Sequence, residues 1–146
     1  MSDYQHILVA VDFSEHGNHV ALKAKALAHF YQAKLSLVHV VDTASLVSLN
    51  YELELPYTSL DDLLIDTSKK KLNELNHDLQ LESEQKWVKM GSSHNEIIKA
   101  ANENSVDLIV IGSHAHHGLR ILLGSTANAI LHRAKCDVLA VRLNHD

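Results

Sequence analysis

The stretch 112–126 contains the residues whose types and spacing best fit a binding chemistry. It holds Gly112, Gly118 and Gly124, three of the five glycines in the chain, and Ser125 and Thr126 follow Gly124 where a helix is predicted to begin. The free N–H groups and positive dipole end of a helix start attract phosphate, and a glycine lets phosphate approach the backbone. The alternative is a turn glycine followed by a Ser/Thr helix cap.

Asp12 is the second candidate, because it ends the first apolar run of the chain. A carboxylate in that position can accept hydrogen bonds from ribose hydroxyls or hold a metal ion on the phosphates. The alternative is an aspartate that caps a helix or satisfies a turn. Ligands of open parallel sheets bind beyond the carboxyl ends of strands. The same rule selects the ends of the second and fourth runs, at 39–42 and 111–114.

Three loop histidines, His114, His116 and His117, form a weak metal-ligand pattern because no acidic or cysteine partner lies near them in the sequence. Contact with phosphate by His114 or Arg120 is the favoured interpretation, and no metal site is predicted.

Catalytic constellations are missing from the sequence. It contains no Gly-x-Ser-x-Gly elbow, no His-Glu-x-x-His and no Walker loop. Arg133 and Lys135 lie close to the single cysteine, Cys136, and could lower the pKa of its thiol. A buried structural cysteine is favoured, and no catalytic residue is predicted.

Five short apolar runs predict strands at 7–12, 35–41, 86–90, 108–112 and 138–143.

Four helices are predicted between them from apolar residues at helical spacing. The first buries Val20, Ala24, Leu27, Ala28 and Tyr31. The second starts near Ser59 and carries Leu60, Leu63, Leu64, Leu72, Leu75 and Leu79. The third opens with a capping box, Ser93 to Glu96, and turns Ile97, Ala100 and Ala101 inward. The fourth, 125–134, buries Ala127, Ile130, Leu131 and Ala134.

Strands that alternate with helices of this length must run parallel, so the fold class is α/β with an open doubly wound sheet. A single domain over residues 1–146 is expected, because no linker, repeat or low-complexity segment divides the chain. The long connection 42–58 is either a lid or a plain surface excursion.

Composition excludes several classes of function. The 146 residues carry a formal net charge of −5, and the basic residues are scattered apart from the run 69–71, which argues against nucleic acid. No apolar run is long enough to span a membrane, and the N-terminus lacks the pattern of a signal peptide. A single cysteine fits a reducing compartment. The sequence therefore predicts a soluble cytoplasmic protein.

Five segments resemble, in order, the first strand and turn, the second strand, the fourth strand, the closing helix and the last strand of the universal stress protein family: 6–14, 37–40, 106–114, 122–127 and 136–142. The resemblance spans nearly the whole chain. It implies a Rossmann-like, five-stranded parallel sheet in the order 3-2-1-4-5 with helices on both faces, similar to adenine nucleotide alpha hydrolases. It also implies a homodimer that pairs through the last strand, Val138 to Arg142.

One branch of the family binds ATP through the motif Gly-x2-Gly-x9-Gly-Ser/Thr, and this chain departs from it. Gly112 and the pair Gly124-Ser125 match, but Ala115 replaces the second glycine and only eight residues separate it from Gly124. A methyl group and a shortened loop would crowd the β and γ phosphates. The resemblance therefore implies an adenine nucleotide, with AMP or ADP favoured over ATP and with or without Mg²⁺.

By the same resemblance, Asp12 contacts the ribose, the Val40 backbone reads the adenine edge, and Gly124 begins the phosphate site. The residues expected to bind the nucleotide are Ala10, Val11, Asp12, Val40, Ile111, Gly112, Ser113, His114, Gly118, Gly124, Ser125 and Thr126. The implied function is that of a nucleotide-binding dimer responsive to stress or energy state. The alternatives are a nucleotide-free dimeric interaction module and, last, a weak ATP hydrolase.

Overall fold

The computed structural model of the chain describes residues 3–42, 57–113 and 124–142. Strands and helices alternate along them. They are β1 (His6–Ala10), α1 (Glu15–Tyr31), β2 (Lys34–Asp42), α2 (Tyr57–Asp78), β3 (Gln85–Gly91), α3 (Ser93–Glu103), β4 (Leu108–Gly112), α4 (Ser125–Arg133) and β5 (Asp137–Val141).

The strands form a five-stranded parallel sheet in the order β3-β2-β1-β4-β5. Because each connection contains a helix, every strand can return in the same direction as the one before it. β1 lies at the centre and β5 at an edge. This confirms the predicted doubly wound sheet and the strand order that the family resemblance implied.

Both faces of the central strands are buried. Neighbouring side chains on a strand point to opposite faces, so Ile7 and Val9 pack against α1 and α2, while Leu8 packs against α3 and α4. All three side chains are 0% exposed. The nearly continuous apolar runs in the sequence follow from this double cover.

The helices bury most of the side chains predicted to face inward, including Val20, Ala24, Ile97 and Ala127. Two leucines were assigned wrongly: Leu131 is 40% exposed and Leu63 is 60% exposed. Leu131 lies about 100° around α4 from the buried Ile130, which turns it away from the sheet. α2 packs on the edge strand β3 and on its neighbour β2, so only part of its surface meets the sheet. Within the described residues, no helix has the length and apolar character to cross a membrane.

Two helix starts differ from the predicted ones. α2 begins at Tyr57, two residues before Ser59. α3 begins at Ser93, so Ser92 is its N-cap and the predicted capping box is wrong by one residue. Gly91 ends β3 with a φ of 148°, and Ser92 after it is still extended. Ser93 therefore lies inside the helix, and no side-chain cap bond forms at Ser92.

Polar groups at the amino ends of the strands are satisfied within the protein. The hydroxyl of Ser36, a residue with 0% exposure, is 2.7 Å from Nε2 of His6. His6 Nδ1 lies 3.0 Å from the carbonyl oxygen of Asn104. A carbonyl only accepts, so Nδ1 carries a proton and Nε2 pairs with the Ser36 hydroxyl. A buried serine is thereby paired.

The edge strand β5 is attached to the start of the chain. The Tyr4 hydroxyl donates to Asp137 Oδ2 at 2.7 Å, and this bond, with desolvation, raises the pKa of Tyr4 to about 12. The Tyr4 ring also meets Tyr31 at the end of α1 edge-on, with centroids 5.0 Å apart. Tyr4, which itself packs on Tyr31, thus connects the last strand to the segment before β1.

Candidate functional site

β2, β1 and β4 are neighbours in the sheet, so the three places selected from the sequence meet at the carboxyl ends of these strands. The chain leaves β1 toward β2 on one side, and β4 pairs with β1 on the other. This is the reversal of strand order at which open α/β sheets form ligand crevices. The residues around it come from the turn after β1, the end of β2 and the start of α4.

Asp12 lies in the turn between β1 and α1, because the strand ends at Ala10 rather than at Asp12 as predicted. Its Oδ1 accepts a hydrogen bond from the Ser14 N–H at 3.0 Å and another from the Ser14 hydroxyl at 2.7 Å. The Ser14 hydroxyl oxygen accepts in turn from the Gly17 N–H at 3.0 Å, which makes Ser14 the N-cap of α1. Asp12 is exposed. Asp12 therefore satisfies the turn, as the alternative interpretation predicted, and its second carboxylate oxygen, Oδ2, takes no part in these bonds.

Contacts with β2 and α2 hold the turn after β1 in place, and no sequence pattern indicates them. Phe13 has a φ of 64°, a conformation that costs a non-glycine residue roughly 1 kcal/mol. Its ring lies on His39 of β2, with centroids 4.3 Å apart. Lys71 of α2 places Nζ 5.7 Å from the centre of the Phe13 ring. Two elements therefore stabilise the unusual backbone next to Asp12.

His39 is the titratable group of this arrangement. Its Nδ1 lies 2.7 Å from the carbonyl oxygen of Val11, which can only accept, so the proton is on Nδ1. Burial lowers the pKa of His39. The Val11 carbonyl and Asp12 oppose that shift and Lys71 adds to it, but burial is the largest cause. The ring is therefore a neutral donor to the strand end.

The end of β2 leaves part of its backbone without a partner strand on the β1 side. Ala10 pairs with Val38, whereas β2 continues to Asp42. The Val38 carbonyl accepts from the Val11 N–H at 2.9 Å and so points toward β1. Because residues two apart on a strand repeat the same orientation, Val40 directs its backbone N–H and C=O past the end of β1.

The start of α4 is fixed to the end of β4. The Gly124 N–H donates to the Ser113 carbonyl at 3.0 Å, and the Ser113 N–H donates to the Val141 carbonyl of β5 at the same distance. Gly124 is the N-cap of α4, and among the residues that the structure describes no side-chain hydrogen bond caps this helix. Ser125 is exposed and Thr126 half-buried. The first turn of α4 therefore offers backbone N–H groups and hydroxyls beside β4.

The remaining predicted site residues divide into two groups. Val11 and Ile111 are 4% and 3% exposed, and Ala10, Val40 and Gly112 are half-buried around the same strand ends. Predicted positions that lie outside the described residues are His114, Ala115, His116, His117, Gly118 and Arg120. The interior of the connection 42–58, with its predicted lid, also lies outside them.

Two other expectations concern reactive or metal-binding side chains. Burial raises the pKa of the Cys136 thiol, and Asp137 and Asp107 add to that effect, so its basic neighbours in sequence do not activate it. Among the residues that the structure describes, no group of three His, Cys, Asp or Glu side chains is placed to hold a metal ion.

Comparison with known proteins gives one family. The sequence profile of the universal stress protein family matches residues 3–142. Universal stress protein A homolog 2 from Coxiella burnetii is 40% identical over 144 residues, which are 98% of this chain and 98% of that protein. The solved structure of MJ0577, a universal stress protein of Methanocaldococcus jannaschii, superposes with a TM-score of 0.83 at 27% identity, covering 99% of this chain and 100% of that one.

Two further solved structures are complexes. A universal stress protein bound to cAMP has a TM-score of 0.68 at 23% identity, and covers 97% of this chain and 98% of its own. One from Archaeoglobus fulgidus bound to dAMP has a TM-score of 0.66 at 21% identity, and covers 95% and 98%. At these identities the likeness is one of fold.

The strand order and the position of the crevice define a Rossmann-like α/β protein. Over nearly its whole length, the chain belongs to the universal stress protein family.

Proposed function

We propose that this protein binds an adenine nucleotide at the carboxyl ends of β1, β2 and β4, and acts in the cytoplasm as a homodimer responsive to stress or energy state. The observation that carries the proposal is the meeting of three groups at the carboxyl ends of the strands. They are the Val40 backbone, the Asp12 carboxylate and the start of α4, where Gly124 offers no capping side chain.

Each group suits one part of a nucleotide. The backbone of Val40 presents a donor and an acceptor side by side, which matches the donor and acceptor on the edge of adenine. Oδ2 of Asp12 can accept from a ribose hydroxyl. The first turn of α4 suits phosphate, because its N–H groups and dipole favour negative charge. Relatives of the same fold hold cAMP and dAMP, which supports adenine as the base.

The number of phosphates follows from the sequence of the loop before α4. By comparison with the family motif, the methyl group of Ala115 and a loop of eight rather than nine residues before Gly124 would crowd the β and γ phosphates. The proposal is therefore that AMP or ADP binds more tightly than ATP.

Calorimetric titration of nucleotide-stripped protein with AMP, ADP and ATP, with and without Mg²⁺, tests the proposal. We expect binding with a Kd on the order of micromolar, weakest for ATP, and at least a tenfold loss in Gly124→Asp. A carboxylate at the start of α4 would repel phosphate and occupy its space. Asn73→Asp is the matched control, since it adds the same charge at an exposed position of α2 and should bind like wild type.

Folded, empty protein that gives no heat with any of the three nucleotides would contradict the proposal. The nucleotide-free interaction module would then become the leading hypothesis.

A further inference from the structure

Gly17, in the first turn of α1, is buried beneath the carboxylate of Asp12. A Cβ atom at position 17 would lie 2.5 Å from Asp12 Oδ1, and 3.5 Å from the Ser14 hydroxyl oxygen. Real Cβ atoms do not approach an oxygen so closely, so any side chain at this position would displace the carboxylate. The space that a methyl group would fill is used by Asp12.

The backbone does not require a glycine at position 17. Gly17 lies within α1 and has no left-handed φ, so every other residue except proline could adopt its conformation. Glycine is also one of the poorest helix formers. What distinguishes Gly17 from the neighbouring positions of the turn is its contact with Asp12.

The hydrogen bonds around Asp12 show what that space allows. The Gly17 N–H donates to the Ser14 hydroxyl oxygen, and the Ser14 hydroxyl and N–H both donate to Oδ1 of Asp12. Both bonds to Asp12 end on a single oxygen. They fix the orientation of the carboxylate before any ligand arrives, while Oδ2 stays uncommitted to the turn. A carboxylate fixed in this way loses little conformational entropy on binding.

We propose that Gly17 is a positioning residue for the ribose: by leaving room for Asp12, it holds the carboxylate where Oδ2 meets a ribose hydroxyl. Gly17 itself does not touch the ligand. This inference rests on the proposed nucleotide site, and it assigns the positioning of Asp12 within that site to a residue outside it.

The test compares AMP with 2′,3′-dideoxyadenosine monophosphate, which lacks both ribose hydroxyls. We expect Gly17→Ala to weaken AMP binding by about tenfold, the size of one hydrogen bond to a charged group, and to leave the dideoxy nucleotide within about twofold of wild type. Asn18→Ala changes the exposed next residue of the same turn, and it should bind both nucleotides like wild type.

A double-mutant cycle with Asp12→Asn identifies the route of the effect. Asp12→Asn should itself remove most of the preference for AMP. If Gly17 acts through Asp12, adding Gly17→Ala to Asp12→Asn should change AMP affinity by less than about twofold. Full additivity of the two effects would overturn the proposal.

A second variant covers the case in which Gly17→Ala does not fold. Ser14→Gly removes the hydroxyl that orients Asp12 but keeps a residue that N-caps tolerate. It should also lower the preference for AMP over the dideoxy nucleotide.

The outcomes separate this proposal from the proposed function. Wild-type protein that binds neither nucleotide contradicts the nucleotide site, and the role of Gly17 with it. Wild-type protein that prefers AMP, together with a Gly17→Ala variant that keeps the preference or loses affinity for both nucleotides equally, contradicts the role of Gly17 alone.

Discussion

His39 connects the candidate site to the stability of the sheet. His39 lies on β2. Its ring is partly buried under the Phe13 ring, and its Nδ1–H donates to the Val11 carbonyl. The charged groups that act on it are Asp12, which favours protonation, and Lys71, which opposes it. Burial and Lys71 lower the pKa of the ring by more than the Val11 carbonyl and Asp12 together raise it. The folded protein therefore binds a proton at His39 less readily than the unfolded chain does.

This shift predicts a loss of stability in mild acid. Below pH 6.5 the unfolded chain takes up a proton at His39 and the folded protein resists it, so the free energy of unfolding falls as the pH decreases. One proton contributes at most about 1.4 kcal/mol per pH unit, and less here because the ring is partly exposed. Urea unfolding on both sides of pH 6.5 should show a shallower fall in His39→Gln than in wild type.

The exposed His29 on α1 provides the control for this measurement. His29→Gln measures how far the loss of a histidine outside the candidate site changes the dependence of stability on pH. Parallel curves for wild type and His39→Gln would show that His39 does not contribute, even if the variant is less stable at every pH.

At the scale of elements, α1 and α3 begin with serines of different function. The Ser14 hydroxyl accepts from the Gly17 N–H and donates to Asp12. The Ser92 hydroxyl lies 3.3 Å from His94 Nδ1, and it makes no cap bond to the backbone of α3. Of these two helices, α1 has a side-chain cap at its N-terminus and α3 has none, although both follow a strand of the same sheet.

The difference predicts unequal effects of the same substitution. Ser14→Ala should lower the free energy of unfolding by about 1 kcal/mol or slightly more, because a capping bond is lost. Ser92→Ala should lower it by less than about 0.5 kcal/mol, the usual range for a surface change without a specific mechanism. Chemical denaturation of both variants measures the contrast, and equal losses would contradict it.

The elements could be predicted from the sequence because local signals determine them. Runs such as 108–112 are apolar on both faces, and helical spacing marks the buried residues of α1 and α3. Helix starts are less certain, since several serines can serve as the cap. The start of α3 depends on the backbone of Gly91, whose φ of 148° no neighbouring residue indicates.

The candidate site could be predicted only in part. Asp12 and the segment 39–42 follow from the position of strand ends in a parallel sheet, Gly124 from the predicted start of a helix, and the choice of Val40 from the family resemblance. The interaction of His39 and Lys71 with Phe13 could not be predicted, because it brings together residues from three elements that are distant in sequence. The dependence of Asp12 on Gly17 requires the packing of the turn against α1, which only the folded structure reveals.

At the scale of the whole molecule, β5 is the feature that favours association. It pairs with β4 on one side and lies at the edge of the sheet, and Leu139 on it is 36% exposed. Strand edges with unpaired backbone groups readily pair with a second chain. This supports the proposal that two copies join through Val138 to Arg142.

Leu139→Lys should therefore convert a dimer to a monomer, because a lysine on an edge strand discourages the pairing of that edge with a second strand. Size-exclusion chromatography with light scattering measures the mass directly. Leu63→Lys is the control, since Leu63 is exposed on α2, which packs on the opposite edge of the sheet. A Leu139→Lys variant that remains dimeric would exclude this edge as the interface.

The central position of β1 has a consequence during synthesis of the chain. Its partner on one side, β2, follows after a single helix, but Ile7 pairs on the other side with Leu108. At about 5–20 residues per second, a ribosome needs roughly 5–20 s to make the intervening chain. For that time, one edge of β1, with its three fully buried apolar residues, has no partner strand. The nascent chain is therefore most prone to aggregation, and most in need of a chaperone, until β4 emerges.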